Sequence, residues 1–200
     1  MLKINGTVKN KEFKRILKYI LKNNSSKTNI IEIFGVDGSG KTFLSSKILK
    51  ELLKNQKKKI KIIHLWRFTK NKRGLKKIIP YRKLNYIYPI SLIKEIYLIM
   101  KMIFLAFNIF IFFDKENFYI FERSIYDVFI DPSRYRLSHK PILFKIFYNI
   151  IFKNTKKIYI NASYNLVKKR KDELTKKKYI ILKYKLDKLF DQKNKSSWAI

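Results

Sequence analysis

An apolar segment, Ile30 to Phe34 (IIEIF), runs straight into GVDGSGKT, Gly35 to Thr42, and a helical pattern follows. This order constrains the fold more than any other feature of the chain. The eight residues fit G-x-x-x-x-G-K-[ST] in full. Its glycines allow backbone torsions closed to other residues, so successive N–H groups can turn inward toward an anion. A helix that starts at Lys41 aims its positive end at the same point. The branched residues before the loop read as a short strand. Leu44, Ile48 and Leu52 recur on one face of a helix from Lys41 to Asn55. Strand, loop and helix together read as a P-loop. Gly35, Gly38, Ser39, Gly40 and Phe43 contribute to the cradle, Lys41 reaches the β- and γ-phosphates, and Thr42 ligates Mg²⁺. The cofactors expected are therefore ATP and Mg²⁺.

Further along, strand and helix patterns alternate. Ile60 to Trp66 reads as a second strand, Phe118 to Phe121 as a third and Ile158 to Asn161 as a fourth. Trp198 to Ile200 reads as the start of a fifth. Pro141 to Phe152 reads as a helix, and Tyr164 to Phe190 as helix broken near Thr175. Arg67 to Pro89 carries Gly74, Pro80 and Pro89 and reads as irregular. This alternation predicts an α/β, three-layer P-loop NTPase fold: a parallel sheet of about five strands with helices on both faces. Parallel strands present ligands at their carboxyl ends. Glu122 stands at such an end and is the candidate acid for a magnesium-bound water.

Before this core, residues 1–29 read as an appendage. Phe13, Ile16, Leu17, Ile20 and Leu21 share one helical face, with Lys11, Lys14, Arg15, Lys18 and Lys22 on the other. The core domain is set at 30–200. Ile96 to Phe113 is almost wholly apolar, broken by Lys101 and Asn108. It reads as a central helix buried on most sides, in preference to membrane contact, because a mid-span charge is costly.

Lys and Arg number 47 against 14 acidic residues, a formal net charge of +33. The basic residues are mostly lysines scattered over every segment. They accompany an abundance of Asn, Ile, Phe and Tyr, all encoded by AT-rich codons. We read the charge as compositional bias with incidental polyanion binding and no dedicated nucleic acid. There are no cysteines, which excludes disulfides and thiolate metal sites. The first residues lack the apolar run of a secretory signal, so a cytoplasmic location is expected. His64 and His139 have no paired ligand or nucleophile in the sequence and read as structural.

Beyond the loop, three stretches occur in order: Glu122-Arg123 closing the third strand, Tyr126-Asp127-Val128-Phe129-Ile130-Asp131-Pro132-Ser133-Arg134-Tyr135-Arg136, and Arg170-Lys171-Asp172-Glu173-Leu174. With the Asp37 form of the loop, the chain resembles the thymidylate kinase-like nucleotide kinases, closest to a divergent branch with a Y-D-x-x-x-D-P-x-R-Y-R run. The resemblance spans about Ile30 to Leu189. It implies transfer of the ATP γ-phosphate to a nucleoside monophosphate or other small phosphorylated acceptor. It places Arg123 on the acceptor phosphate, Asp37 toward the acceptor sugar or phosphate, Arg67 and Arg134 on the acceptor side, and Arg170 in the lid over the donor. Lys41, Arg123 and Asp37 become the catalytic set. Arginine's planar fork suits phosphate oxygens, and only eight of the 47 basic residues are arginines.

The chain departs from thymidylate kinases proper. It has Arg67 alone after the second strand, no glutamine in DVFIDPSRYR, and Glu122 where the family has Asp. A P-loop ATPase or nucleotide-dependent regulator is the second reading, and a non-catalytic basic module for nucleic acid or membrane the third. A homodimer is compatible with all three.

Overall fold

The computed structural model describes residues 2–5, 8, 10–21, 29–55, 60–63, 84–111, 117–122, 125–153, 155–170 and 174–195. The chain forms two compact units. One comprises Met1–Ile63, Lys115–Ser124 and Asn154–Ile200, and the other His64–Asp114 and Ile125–Lys153.

The first unit is an α/β structure of the expected class. Its strands are β1 (Leu2–Asn5), β2 (Asn29–Phe34), β3 (Ile60–Ile63), β4 (Phe118–Phe121) and β5 (Lys156–Asn161). They form one sheet in the order β1-β5-β2-β4-β3, and every pairing is parallel. Strand β2, which leads into the glycine loop, sits at the centre. The period of two along each strand sorts side chains by face. Leu2, Ile4, Ile31, Ile33, Phe118, Ile120, Ile158 and Ile160 point to one core. Helices α1 (Asn10–Leu21) and α2 (Lys41–Asn55) cover it with Phe13, Ile16 and Ile20, and with Leu44, Ile48 and Leu52. The opposite face carries Lys3 and Tyr159. There α7 (Lys176–Lys195) brings Asp187 to within 2.8 Å of the Lys3 ammonium, and the Phe190 ring to 6.0 Å from that of Tyr159. The result is three layers: α1 with α2, the sheet, and α7.

The N-terminal region contributes more than an amphipathic helix. Leu2–Asn5 pairs in register with Ile158–Asn161 and forms the edge beside β5. This is the fifth strand of the sheet; Trp198 to Ile200, where the sequence placed one, lies outside the described residues. A buried lysine, Lys156 at the start of β5, donates to the carbonyl of Ile20 at the end of α1. Removal from water lowers its pKa, and the helix carbonyl compensates the cation.

The second unit is helical: α3 (Tyr88–Ile111), α4 (Asp127–Ile130), a 3₁₀ turn at Pro132–Tyr135, and α5 (Ile142–Ile151). Helix α3 starts well before Ile96. Pro89, read from sequence as a breaker, occupies the first turn, where its missing N–H costs nothing. A second correction concerns burial. Leu98, Ile99, Met102, Ala106 and Ile109 are buried, but Ile93, Ile96, Met100, Phe104 and Phe107 are exposed. The helix is apolar on two faces and covered on one. Among the described residues no helix is long and apolar enough to cross a membrane.

A buried polar chain joins α3 to α5. Glu95, 2% exposed, accepts the Phe144 N–H at 2.9 Å and pairs with His139 Nε2 at 2.6 Å. His139 Nδ1 lies 2.9 Å from Ser91 Oγ, which accepts the Ser138 N–H at 3.0 Å. The Ser91 hydroxyl is thus free to donate to Nδ1, leaving Nε2–H to face the carboxylate. Glu95 also satisfies an N–H in the first turn of α5 that has no partner within the helix. A Ser–His–Glu order invites comparison with hydrolases, but Ser91 is fully buried and no substrate could reach it. His139 thus has two side-chain partners, Glu95 and Ser91, that its isolation in the sequence did not show.

The run around Asp131 has a structural task too. Arg136 takes a left-handed backbone conformation, φ +62°, just after the 3₁₀ turn. Its guanidinium donates to the Leu84 carbonyl at 3.0 Å and to the Tyr86 hydroxyl at 2.7 Å, and lies 3.8 Å from the Tyr86 ring centre. Arg136 therefore clasps the segment that leads into α3.

Two measurements test this packing. Ile16 is fully buried in the sheet's core, so Ile16→Ala costs about 2–5 kcal/mol in denaturant unfolding; an unchanged midpoint would detach α1 from the core. Burial also pushes the Tyr126 phenol up to about 12 and that of Tyr159 higher still. The neutral phenols favour the folded state. Their contribution is complete below about pH 10, where unfolded tyrosine ionises, and is lost as pH rises through about 12. The last part of the phenolate absorbance to appear should therefore coincide with loss of helical circular dichroism in that window.

Candidate active site

The site lies at the carboxyl end of β2, between β4 and β5. A tight turn follows the strand, closed by the Ser39 N–H to the Val36 carbonyl at 3.0 Å. Gly35 is required by close approach: a Cβ there would lie 2.5 Å from Ser39 Oγ and 3.1 Å from the Ile160 carbonyl of β5. Gly40 has φ +100°, and a Cβ on it would lie 3.0 Å from Arg170 Nη1. The first intrahelical bond of α2 runs from the Leu44 N–H to the Gly40 carbonyl, 3.0 Å. The N–H groups of Lys41, Thr42 and Phe43 precede it and have no acceptor within the helix. With no acidic side chain in that first turn, the positive end of α2 keeps its field.

Lys41 is 7% exposed, and its ammonium is held by the loop itself. It donates to the carbonyls of Gly35 at 2.6 Å and Val36 at 3.2 Å, and to Asp37 Oδ1 at 3.3 Å. Asp37 is equally buried, so this is a desolvated ion pair inside the turn. Such a pair gains little over apolar residues, but breaking one half leaves a charge stranded. Ser39 is 2% exposed, and its hydroxyl has no partner among the described residues.

Opposite the loop, the Thr42 hydroxyl donates to Glu122 Oε1. This contact follows from the topology. Strands β2 and β4 are hydrogen-bonded neighbours in register, Glu32 beside Phe121, so Glu122 leaves β4 level with Ile33, two residues before the loop begins. A hydroxyl beside a carboxylate is a hard oxygen pair, the donor set that Mg²⁺ takes when it keeps several waters and phosphate oxygens. The orphan Ser39 hydroxyl and the positive end of α2 suit the phosphates of a nucleotide. The residues present therefore fit a magnesium nucleotide.

Arg170 completes the site. It ends α6 (Tyr164–Arg170), the helix after β5, and Nη1 lies 3.5 Å from the Gly38 carbonyl. Its guanidinium stands over the outer side of the glycine loop. Tyr179 steadies this corner by donating to the Ala162 carbonyl at 2.5 Å. Phe43 is 65% exposed, so its backbone is what it offers to the loop.

The structure thus brings together Gly35, Asp37, Gly38, Ser39, Gly40, Lys41, Thr42, Glu122 and Arg170 within one unit. Arg134 belongs to the other unit, half-buried in the 3₁₀ turn. Arg67 and Arg123 lie outside the described residues. Three contributors were invisible in the sequence, the carbonyls of Gly35, Val36 and Ile160, because backbone groups carry no residue signature. Compared with family models, curated proteins and solved structures, the chain matches none at a significant level.

The Lys41–Asp37 pair makes a checkable demand. Asp37→Ala should destabilise the protein by about 3 kcal/mol, the low end for a broken buried pair, because two carbonyls still hold the ammonium. The double variant Asp37→Ala/Lys41→Met should recover most of that loss. Additive losses in a double-mutant cycle would show that the two side chains are not coupled.

Proposed function

We propose that the protein is a P-loop phosphotransferase that moves the γ-phosphoryl group of MgATP to a small phosphorylated acceptor, a nucleoside monophosphate being the leading class. The observation that carries this reading is the Thr42–Glu122 contact across β2 and β4 at the mouth of the glycine loop. A glycine turn alone needs neither a lysine inside it nor a hydroxyl–carboxylate pair beside it.

In this reading the loop N–H groups and the start of α2 hold the β- and γ-phosphates. The Lys41 ammonium exchanges its carbonyl acceptors for phosphate oxygens, and Asp37 keeps it oriented. Thr42 and Glu122 supply oxygen ligands to Mg²⁺, which neutralises charge on the phosphates when bound. An acceptor oxygen forms the new bond to the γ-phosphorus as the bond to the β-phosphate bridging oxygen breaks, and ADP leaves. Positioning and charge neutralisation supply most of the rate in such transfers. Arg170 over the loop suits the donor side, and Arg123, adjacent to Glu122 in sequence, suits the acceptor phosphate.

The deciding experiment follows ADP release from MgATP with a panel of monophosphates, thymidylate and uridylate included. The expected result is release stimulated by one acceptor and abolished in Lys41→Ala, with Arg123→Ala raising the acceptor KM far more than that for ATP. Release that no acceptor stimulates would make the protein an ATPase, and unchanged turnover in Lys41→Ala would remove the P-loop from the chemistry.

A further inference from the structure

The second unit presents an apolar surface that the proposed chemistry does not use. On α3, Ile93, Ile96, Met100, Phe104, Phe107 and Ile111 follow one another at steps of three and four residues, so they form one stripe along the helix. All are exposed, Ile93 at 67% and Phe104 at 69%. The stripe runs opposite the buried one. Helix α5 repeats the pattern with Ile142, Ile146 and Ile150, the last at 72%. Isolated exposed apolar side chains are ordinary, but ordered stripes on two helices mark a contact surface.

The charges on the same helices say what the contact is. Helix α3 carries Lys94, Lys101 and one acid, Glu95, which is buried against His139. Helix α5 carries Lys145 and no acid. No carboxylate of either helix reaches the surface. The lysines lie along aromatic rings, Lys101 at 5.4 Å from the Tyr97 centroid and Lys145 at 4.9 Å from that of Phe129. Stems of this length run with the apolar surface and carry the ammonium groups toward its border. A second copy meeting the same face would set the lysines of α3 and α5 against one another, under a net charge of +33 on each chain. A nucleic acid would satisfy the lysines and leave the apolar stripe in water. An anionic bilayer satisfies both, taking apolar side chains into the acyl boundary and ammonium groups among the headgroups.

We propose that α3 and α5 form a membrane-surface contact, with the exposed stripe of α3 inserted into the interface of a bilayer containing anionic lipid. The helix lies in the plane of the membrane and does not cross it, in keeping with the absence of a spanning helix among the described residues.

The test is co-sedimentation of the full chain with phosphatidylcholine vesicles, with and without phosphatidylserine. Binding to the mixed vesicles should persist at about 1 M salt, where the screening length falls to about 3 Å and charge alone no longer holds the protein. Phe104→Ser/Phe107→Ser should lower that salt-resistant partition by about tenfold or more. A Phe107→Trp variant should gain emission quenched by brominated acyl chains, above the signal of the parent. Both positions are exposed, so circular dichroism should be unchanged; Ile146→Ser/Ile150→Ser replaces the first pair if it is not. Binding stripped completely by salt, or insensitive to both pairs of substitutions, would reduce the contact to charge and overturn the proposal. A lipid-free dimer that the Phe variant converts to monomer would overturn it in favour of a second copy.

Discussion

The site depends on a hydrogen-bonded register. Glu32 of β2 lies beside Phe121 of β4, and from that alignment Thr42 and Glu122 meet although 80 residues separate them. If β4 slipped by one residue, Glu122 would turn to the opposite face of the sheet and the pair would be lost. The register is held because both strands are buried on their two faces. Ile31, Ile33, Phe118 and Ile120 point to the core under α1 and α2, while Phe34, Tyr119 and Phe121 are buried as well. A shift would leave at least one apolar row without its partners. The geometry at the loop thus rests on the packing of side chains that never approach it.

Much of this was legible in sequence because local and tertiary signals agree. IIEIF before the loop and FYIFE at β4 are short apolar runs with sharp ends, which suit strands buried on both sides. Helix α2 announced itself through Leu44, Ile48 and Leu52. The fifth strand was not legible: LKIN is four residues long, set in polar sequence, and its partner β5 lies more than 150 residues away. Nothing local marks such an edge strand. Pro89 misled for a different reason. Proline ends a helix from within but is tolerated in its first turn, and sequence alone does not say which applies.

The two-sided character of α3 exposes a limit of hydropathy as a guide to burial. A helix apolar on all sides reads as central, since neither a buried core helix nor one that sets a second apolar face outward has a polar face. Only the placement of neighbours separates them. Here the sequence held one clue: Lys94 and Lys101 are ill suited to a helix enclosed on every side, yet fit one whose border is wet. Glu95 completes the picture from inside. Its carboxylate is spent on His139 and on the first turn of α5, so the acid counted in the sequence contributes nothing to the charge of the outer face.

In a chain so rich in lysine, the residue type carries little information, and burial restores it. A solvated lysine costs almost nothing and can accumulate by drift. A buried one must be matched, or its desolvation weakens the fold. Lys41 and Lys156 both meet that condition, the first through the carbonyls of Gly35 and Val36 with Asp37, the second through the Ile20 carbonyl. One cation stands in the glycine loop, and the other joins α1 to the sheet. Drift alone would not place lysines where backbone carbonyls already converge. Burial thus separates these two, together with Lys157 at 6% exposure, from the background that gives the protein its charge.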